Sequence, residues 1–216
     1  MIDTVREIEA VQRELDMGRL GEAEARVITM RRTYDAPIDD VWDALTNPDR
    51  IARWFMPISG DYRVGGRYQL EGNAGGEIIA CERPNRFRIT WVYGEPTDGN
   101  SSEVEVRLAP AGAEATDFEM EHVAVVPDEF WTQFGPGAVG VGWDMGLLGL
   151  GLYLRTGKTV GDPVAWQLSD EGRDFATRSS EAWGAANEAA GADPDAAATA
   201  VANTIAFYTT DPAAEA

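Results

Sequence analysis

Residues 135–154, GPGAVGVGWDMGLLGLGLYL, spread seven glycines through a run of Leu, Val, Trp and Met and admit one charge, Asp144. On a helix, at about 100° per residue, Val139, Trp143, Leu147, Leu150 and Leu154 make one bulky stripe. Val141, Met145, Leu148 and Leu152 make a second, with a groove of small residues, Ala138, Gly142, Gly146 and Gly149, between them. A membrane span needs about 20 apolar residues with basic anchors at its ends. Asp144, the helix-breaking Gly135-Pro136-Gly137 and the lack of such anchors argue against one, despite the G-x-x-x-G at Gly142 and Gly146. The glycines also lack the spacing of a phosphate-binding loop. What remains is a buried helix about 27 Å long, gripped by a sheet. Asp144 shares a narrow face with Gly140 and Gly151, where the helix meets solvent, a C-terminal hairpin or the cavity.

A sheet that could grip it is written between residues 60 and 122. Tyr68 and Leu70 alternate with polar neighbours, and Phe87, Ile89, Trp91 and Tyr93 alternate with Arg88, Thr90 and Val92. Val104, Val106 and Leu108 stand opposite Glu103, Glu105 and Arg107, and Phe118, Met120 and His122 opposite Asp117, Glu119 and Glu121. Turns fall at Gly65-Gly66, Gly75-Gly76 and Pro84-Asn85. An antiparallel meander with one dry and one wet face needs a cover for the dry one. Before it, residues 25–34 read as a strand, followed by a helix through Leu45 and a second restarted at Asn47-Pro48-Asp49, the cap-and-proline start of a helix.

The flanks are helical. Residues 3–16 place Val5, Ile8, Val11 or Gln12, and Leu15 at near-helical spacing, stopped by Gly18 and Gly21. After Lys158 the composition shifts to Ala, Gly, Asp and Ser, and residues 165–209 read as a helical hairpin too poor in apolar residues to fold alone. It is expected to dock on the main domain, over the pocket mouth or on a second copy as a homodimer. The expected organisation is an N-terminal helical segment at 1–24, a main domain at 25–156 and a helical extension at 157–216.

The 18 basic residues stand against 37 acidic ones, a formal net charge of -19, which repels phosphate backbones and anionic membrane surfaces. Cys81 is the one cysteine, so neither a disulfide nor a cysteine zinc site is expected, and the charged N-terminus lacks a signal-peptide core. A cytoplasmic protein without membrane or nucleic-acid partners is expected.

RRTYDAPIDDVWDALTNPDRIARWF (31–55), GDYRVGGRYQ (60–69), ERPNRFRITW (82–91), TDFEMEH (116–122) and the GW with later leucines (142–154) occur in an order that resembles the SRPBCC, or START-like, superfamily. More narrowly they resemble its branch named after the C-terminal domain of the heat-shock-protein-90 ATPase activator. The resemblance covers residues 25–156 and implies an α+β helix-grip fold, a curved antiparallel sheet of six or seven strands around a long C-terminal helix. It also implies an apolar cavity between sheet and helix for a small hydrophobic ligand, and no cofactor. The activator's second domain is missing and the C-terminal hairpin lies outside the common domain, which weakens a chaperone role.

The candidate ligand-binding residues are Trp54, Phe55, Tyr68, Trp91, Tyr93, Phe118, Met120, His122 and Trp143, an aromatic density suited to planar apolar ligands. Each also reads as core packing. His122 is the one histidine and no second ligand clusters with it, so no metal is expected. It reads as a hydrogen-bonded structural residue, a polar anchor, or a general acid/base. The leading function is non-catalytic binding of a hydrophobic or aromatic molecule. The alternatives are a polyketide cyclase, dehydratase or hydrolase using His122, and a module regulating a chaperone ATPase.

Overall fold

The computed structural model describes residues 2–94 and 101–211. Along the chain run α1 (Thr4–Glu9), β1 (Gln12–Leu20), β2 (Ala23–Tyr34), α2 (Ile38–Thr46), α3 (Pro48–Trp54), β3 (Ile58–Gly60), β4 (Arg67–Leu70), β5 (Gly75–Glu82), β6 (Arg86–Thr90), β7 (Ser102–Pro110) and β8 (Thr116–Ala124). The helices α4 (Asp128–Phe134), α5 (Gly137–Thr156), α6 (Pro163–Gln167), α7 (Asp170–Ala189) and α8 (Pro194–Thr209) complete it. The strands make one curved antiparallel sheet in the order β1-β2-β8-β7-β6-β5-β4-β3.

The sheet thus has eight strands where six or seven were expected. The additions are the short β3 and, more informatively, β1, which lies where a helix over residues 3–16 was expected. That helix ends at Glu9. From Gln12 the burial alternates with period two, taking in Arg13 and Leu15. Gly18 does not stop a helix; it lets β1 lie close on β2, since a Cβ there would stand 2.7 Å from Val27 Cγ2. Gly21, at φ +60°, makes the turn.

The chain divides into two compact units. One is helical and comprises Met1–Leu15, Pro127–Leu148 and Val160–Ala216; the other comprises Asp16–Val126 and Gly149–Thr159 and holds the sheet. The boundaries cut α5, with residues 137–148 in the helical unit and 149–156 in the sheet unit.

In the helical unit, Ile8, Leu148 and Phe175 form a core joined by Ile2, Met145, Trp166 and Ala182. Ser169 Oγ caps α7 by accepting from Gly172 N, and Asp193 caps α8 by accepting from Asp195 N and Ala196 N. Small residues set the spacing of the helices. A Cβ at Gly140 would overlap the Trp183 indole, and one at Gly184 would overlap Val201.

In the sheet unit, Asn47 caps α3 with Pro48 in its first turn, as the sequence indicated. Register places Ile28, His122 and Val104 in one row across β2, β8 and β7, then Met30, Met120 and Val106, then Arg32, Phe118 and Leu108. Every member of these rows is buried. The opposite face is an ion-pair ladder. Arg31 Nε and Arg107 Nη1 each lie 2.6 Å from a Glu119 oxygen, Arg107 and Arg86 both meet Glu105, and Arg88 Nε lies 2.6 Å from Glu103. Burial works against the Glu119 carboxylate, yet Arg107 and Arg31 hold its pKa below the usual range.

Candidate functional site

The three inner-face rows across β2, β8 and β7 are apolar except at two places. His122 sits between Ile28 and Val104, flanked along its own strand by the Met120 row, and burial pushes its pKa down to about 4. At neutral pH it is an uncharged imidazole. Arg32, two rows away beside Phe118, is the second polar position; its guanidinium lies 4.5 Å from the centroid of the Tyr34 ring. Sequence reasoning singled out His122 and passed over Arg32. The signal was there, because Arg32 keeps the alternation of Ile28, Met30 and Tyr34 and so had to face inward.

Phe118, Met120 and His122 therefore share the dry face, as alternation indicated. Tyr68 is also buried; its hydroxyl donates to Thr90 O at 2.7 Å, and burial raises its pKa. Trp91 is half-buried just past β6. Trp54 and Phe55 close α3 with ring centroids 5.3 Å apart, and the Trp54 indole donates to Ala44 O at 2.9 Å. A Cβ at Gly149 of α5 would lie 3.5 Å from Trp54 O, so this glycine brings helix backbone to the tryptophan.

Tyr93 departs from the expected lining and is 63% exposed. β6 ends at Thr90, and beyond it Val92, bridged to Gly75, is the residue that buries instead. Trp143 belongs to the half of α5 in the helical unit. Glu82 lies at an exposed strand end, 2.9 Å from Arg86.

The wet side of the sheet carries a half-open hollow of about 260 Å³ lined by Arg67, Gln69, Glu77, Thr90 and Glu103, with Leu20 and Val92 as its apolar members. Among the described residues, no group of three or more His, Cys, Asp or Glu is arranged to hold a metal ion.

Asp144 does not face a cavity. It is buried in the helical unit, where Arg13 Nη2 reaches Oδ1 at 2.8 Å and Arg13 Nε reaches Oδ2 at 3.2 Å. Ser179 Oγ and Trp183 Nε1 also donate to Oδ2, at 2.5 and 3.0 Å. Burial pushes the carboxyl upward in pKa, opposed by these donors. The helix thus meets the C-terminal hairpin at Asp144, one of the places its sequence allowed. Length and composition alone would let α5 cross a bilayer, with a mean hydropathy of 1.3. A carboxylate satisfied by four hydrogen bonds from α7 and the N-terminal segment marks a helix interior to a folded unit.

The model for activator of Hsp90 ATPase homolog 1-like proteins matches residues 35–154. The chain belongs to this family. Its fold is the helix-grip fold of the relatives. CalU16 from Micromonospora echinospora is similar in both its crystal structure (38% identity, TM-score 0.66, 83% of this chain and 99% of that chain) and its solution structure (40%, 0.67, 83% and 96%). MLL2253 from Mesorhizobium loti is 26% identical with a TM-score of 0.52, over 61% of this chain and 98% of its own. DynU16, described as a putative protein in the dynemicin biosynthetic locus, is 28% identical with a TM-score of 0.50, over 61% of this chain and 48% of its own. No curated protein matches the chain. The matched segment of this activator-like protein takes in α2 to α4 and nearly all of α5, and leaves out α1, β1 and β2 at one end and α6 to α8 at the other.

Proposed function

We propose that this activator-like protein is a cytoplasmic binder of a small hydrophobic or aromatic molecule, held against the dry face of its sheet without chemical conversion. The observation that carries the reading is the uncharged His122 set among Ile28, Met30, Val104, Val106, Phe118 and Met120. An apolar wall supplies affinity, and one neutral polar group fixes orientation. Trp91, Tyr68 and Trp54 add aromatic surface in the same unit. The place of DynU16 in a biosynthetic locus supports a product or intermediate of small-molecule biosynthesis as the class of ligand.

Catalysis by His122 is the weaker reading. An imidazole with a pKa near 4 is a poor base at neutral pH, because the ideal catalytic group titrates near the working pH. The expected ligand quenches tryptophan fluorescence and raises the melting temperature in proportion to ln(1 + [L]/Kd). Native mass spectrometry of the protein as purified, followed by titration with hydrophobic aromatic compounds, tests this. No retained molecule, together with no thermal shift from any compound, would refute ligand binding. Turnover that disappears in a folded His122→Leu variant would replace the reading with the enzymatic one.

A further inference from the structure

The charges of the chain are not shared evenly between its units. The helical unit holds 17 of the 37 acidic residues but 4 of the 18 basic ones, Arg6, Arg13, Arg173 and Arg178. Arg13 is consumed by the buried Asp144, and Arg178 is 2.9 Å from Asp174. On this acidic unit, α4 and α8 (DEFWTQF and PDAAATAVANTIAFYT) contain no basic residue.

Those two helices also carry a ladder of aromatic rings. Phe130 and Phe134 have centroids 5.1 Å apart, Phe134 and Phe207 5.8 Å, and Phe207 and Tyr208 5.1 Å. The ladder is pinned from beneath. Tyr208 Oη donates to Ala138 O at 2.6 Å, and Asn203 and Thr204 donate to Gln133 O and Phe134 O. Its outer rungs stay in water, with Phe207 63% and Phe130 41% exposed. Single exposed apolar residues are ordinary, whereas contiguous rigid rings mark an interaction surface. Asp128 and Glu129, in the first turn of α4, border it.

We infer that the α4–α8 face is a docking surface for a basic amphipathic segment of a partner protein, whose apolar side lies on the ring ladder and whose Lys and Arg side chains meet the surrounding carboxylates. Charge decides the occupant. A second copy would bring the same acidic border to the same rings, and like charges across an interface are unfavourable. A basic segment gains both steering and contact from the same surface.

The test uses the full chain and two labelled 18-residue helical peptides, one of Leu and Lys and one of Leu and Glu in the same pattern, read by fluorescence anisotropy. The Leu/Lys peptide is expected to bind and the Leu/Glu peptide not to. Phe130→Ala combined with Phe207→Ala is expected to weaken binding by about tenfold or more, as removal of two anchor rings does. Because Phe207 is mostly exposed and Phe130 is 41% exposed, neither belonging to the buried core, the melting temperature should stay within a few degrees of wild type. Three results would overturn the inference. They are no binding of the Leu/Lys peptide, equal binding by the double variant, which would assign the effect to charge alone, and a wild-type dimer in sedimentation that the double variant dissociates, which would make a second copy the occupant.

Discussion

Arg13 and Asp144, 131 residues apart in sequence, meet in a doubly hydrogen-bonded ion pair whose side chains are 6% and 1% exposed. At such burial the desolvation of both charges offsets much of their attraction, so the pair matters chiefly through the damage done when one member is lost. Asp144→Ala strands a buried guanidinium and is expected to destabilise the protein by about 3–5 kcal/mol in urea unfolding. Arg13→Met added to it should recover part of that loss, and a strictly additive double variant would show that the two groups do not interact.

Two glycines of α5 should respond oppositely to alanine. At Gly140 the added methyl overlaps the Trp183 indole, and overpacking of this kind costs about 1–3 kcal/mol. At Gly149 the methyl meets ordinary contact distances of 3.5 and 3.8 Å to Trp54, so the helix-propensity gain of up to about 1 kcal/mol prevails. Thermal unfolding of Gly140→Ala and Gly149→Ala reads the difference.

His122 gives the fold an acid-side weakness. Its pKa falls from 6.5 to about 4 on folding, so between those values the unfolded chain binds more protons and stability rises with pH. Stability from this group is complete above pH 6.5 and is lost as pH drops toward 4, by about 3 kcal/mol. Carboxylates add their own dependence, so the measurement is the difference between wild type and His122→Leu, compared at pH 7 and pH 4.5. Parallel stability curves would contradict it.

The ligand reading makes a spectroscopic prediction. Trp91 and Trp54 belong to the sheet unit, while Trp166 lies in the helical unit with its indole donating to Glu171 at 2.9 Å. Quenching by a bound aromatic compound should fall in Trp91→Phe and persist in Trp166→Phe.

The β-rich middle of the chain was legible because one repeated signal carried it. Alternation from Val104 to Leu108 and from Phe118 to His122 fixed which side chains face inward, and the register of β7 with β8 agrees residue by residue. The same signal misled nothing until the strand stopped, and at Tyr93, three residues past Thr90, it no longer applied. β1 was hidden because Val5, Ile8, Val11 and Leu15 satisfy a helical spacing by coincidence, while the pairing that makes Gln12–Leu20 a strand comes from β2, a partner that local periodicity does not show. Asp144 could be narrowed to three surroundings from its helical face, but its partner Arg13 lay in that misread segment. The ring ladder was equally invisible, since Phe130 and Phe207 are 77 positions apart in sequence and their adjacency is tertiary.

A lone imidazole in a dry sheet is also a reporter that nature has already installed. With one histidine in the whole chain, the ring protons of His122 give a single assigned-by-default pair of resonances in the aromatic proton spectrum. Their chemical shifts should stay still through neutral pH and move when a guest settles beside them, so the interior can be watched without isotopic labelling or an added probe.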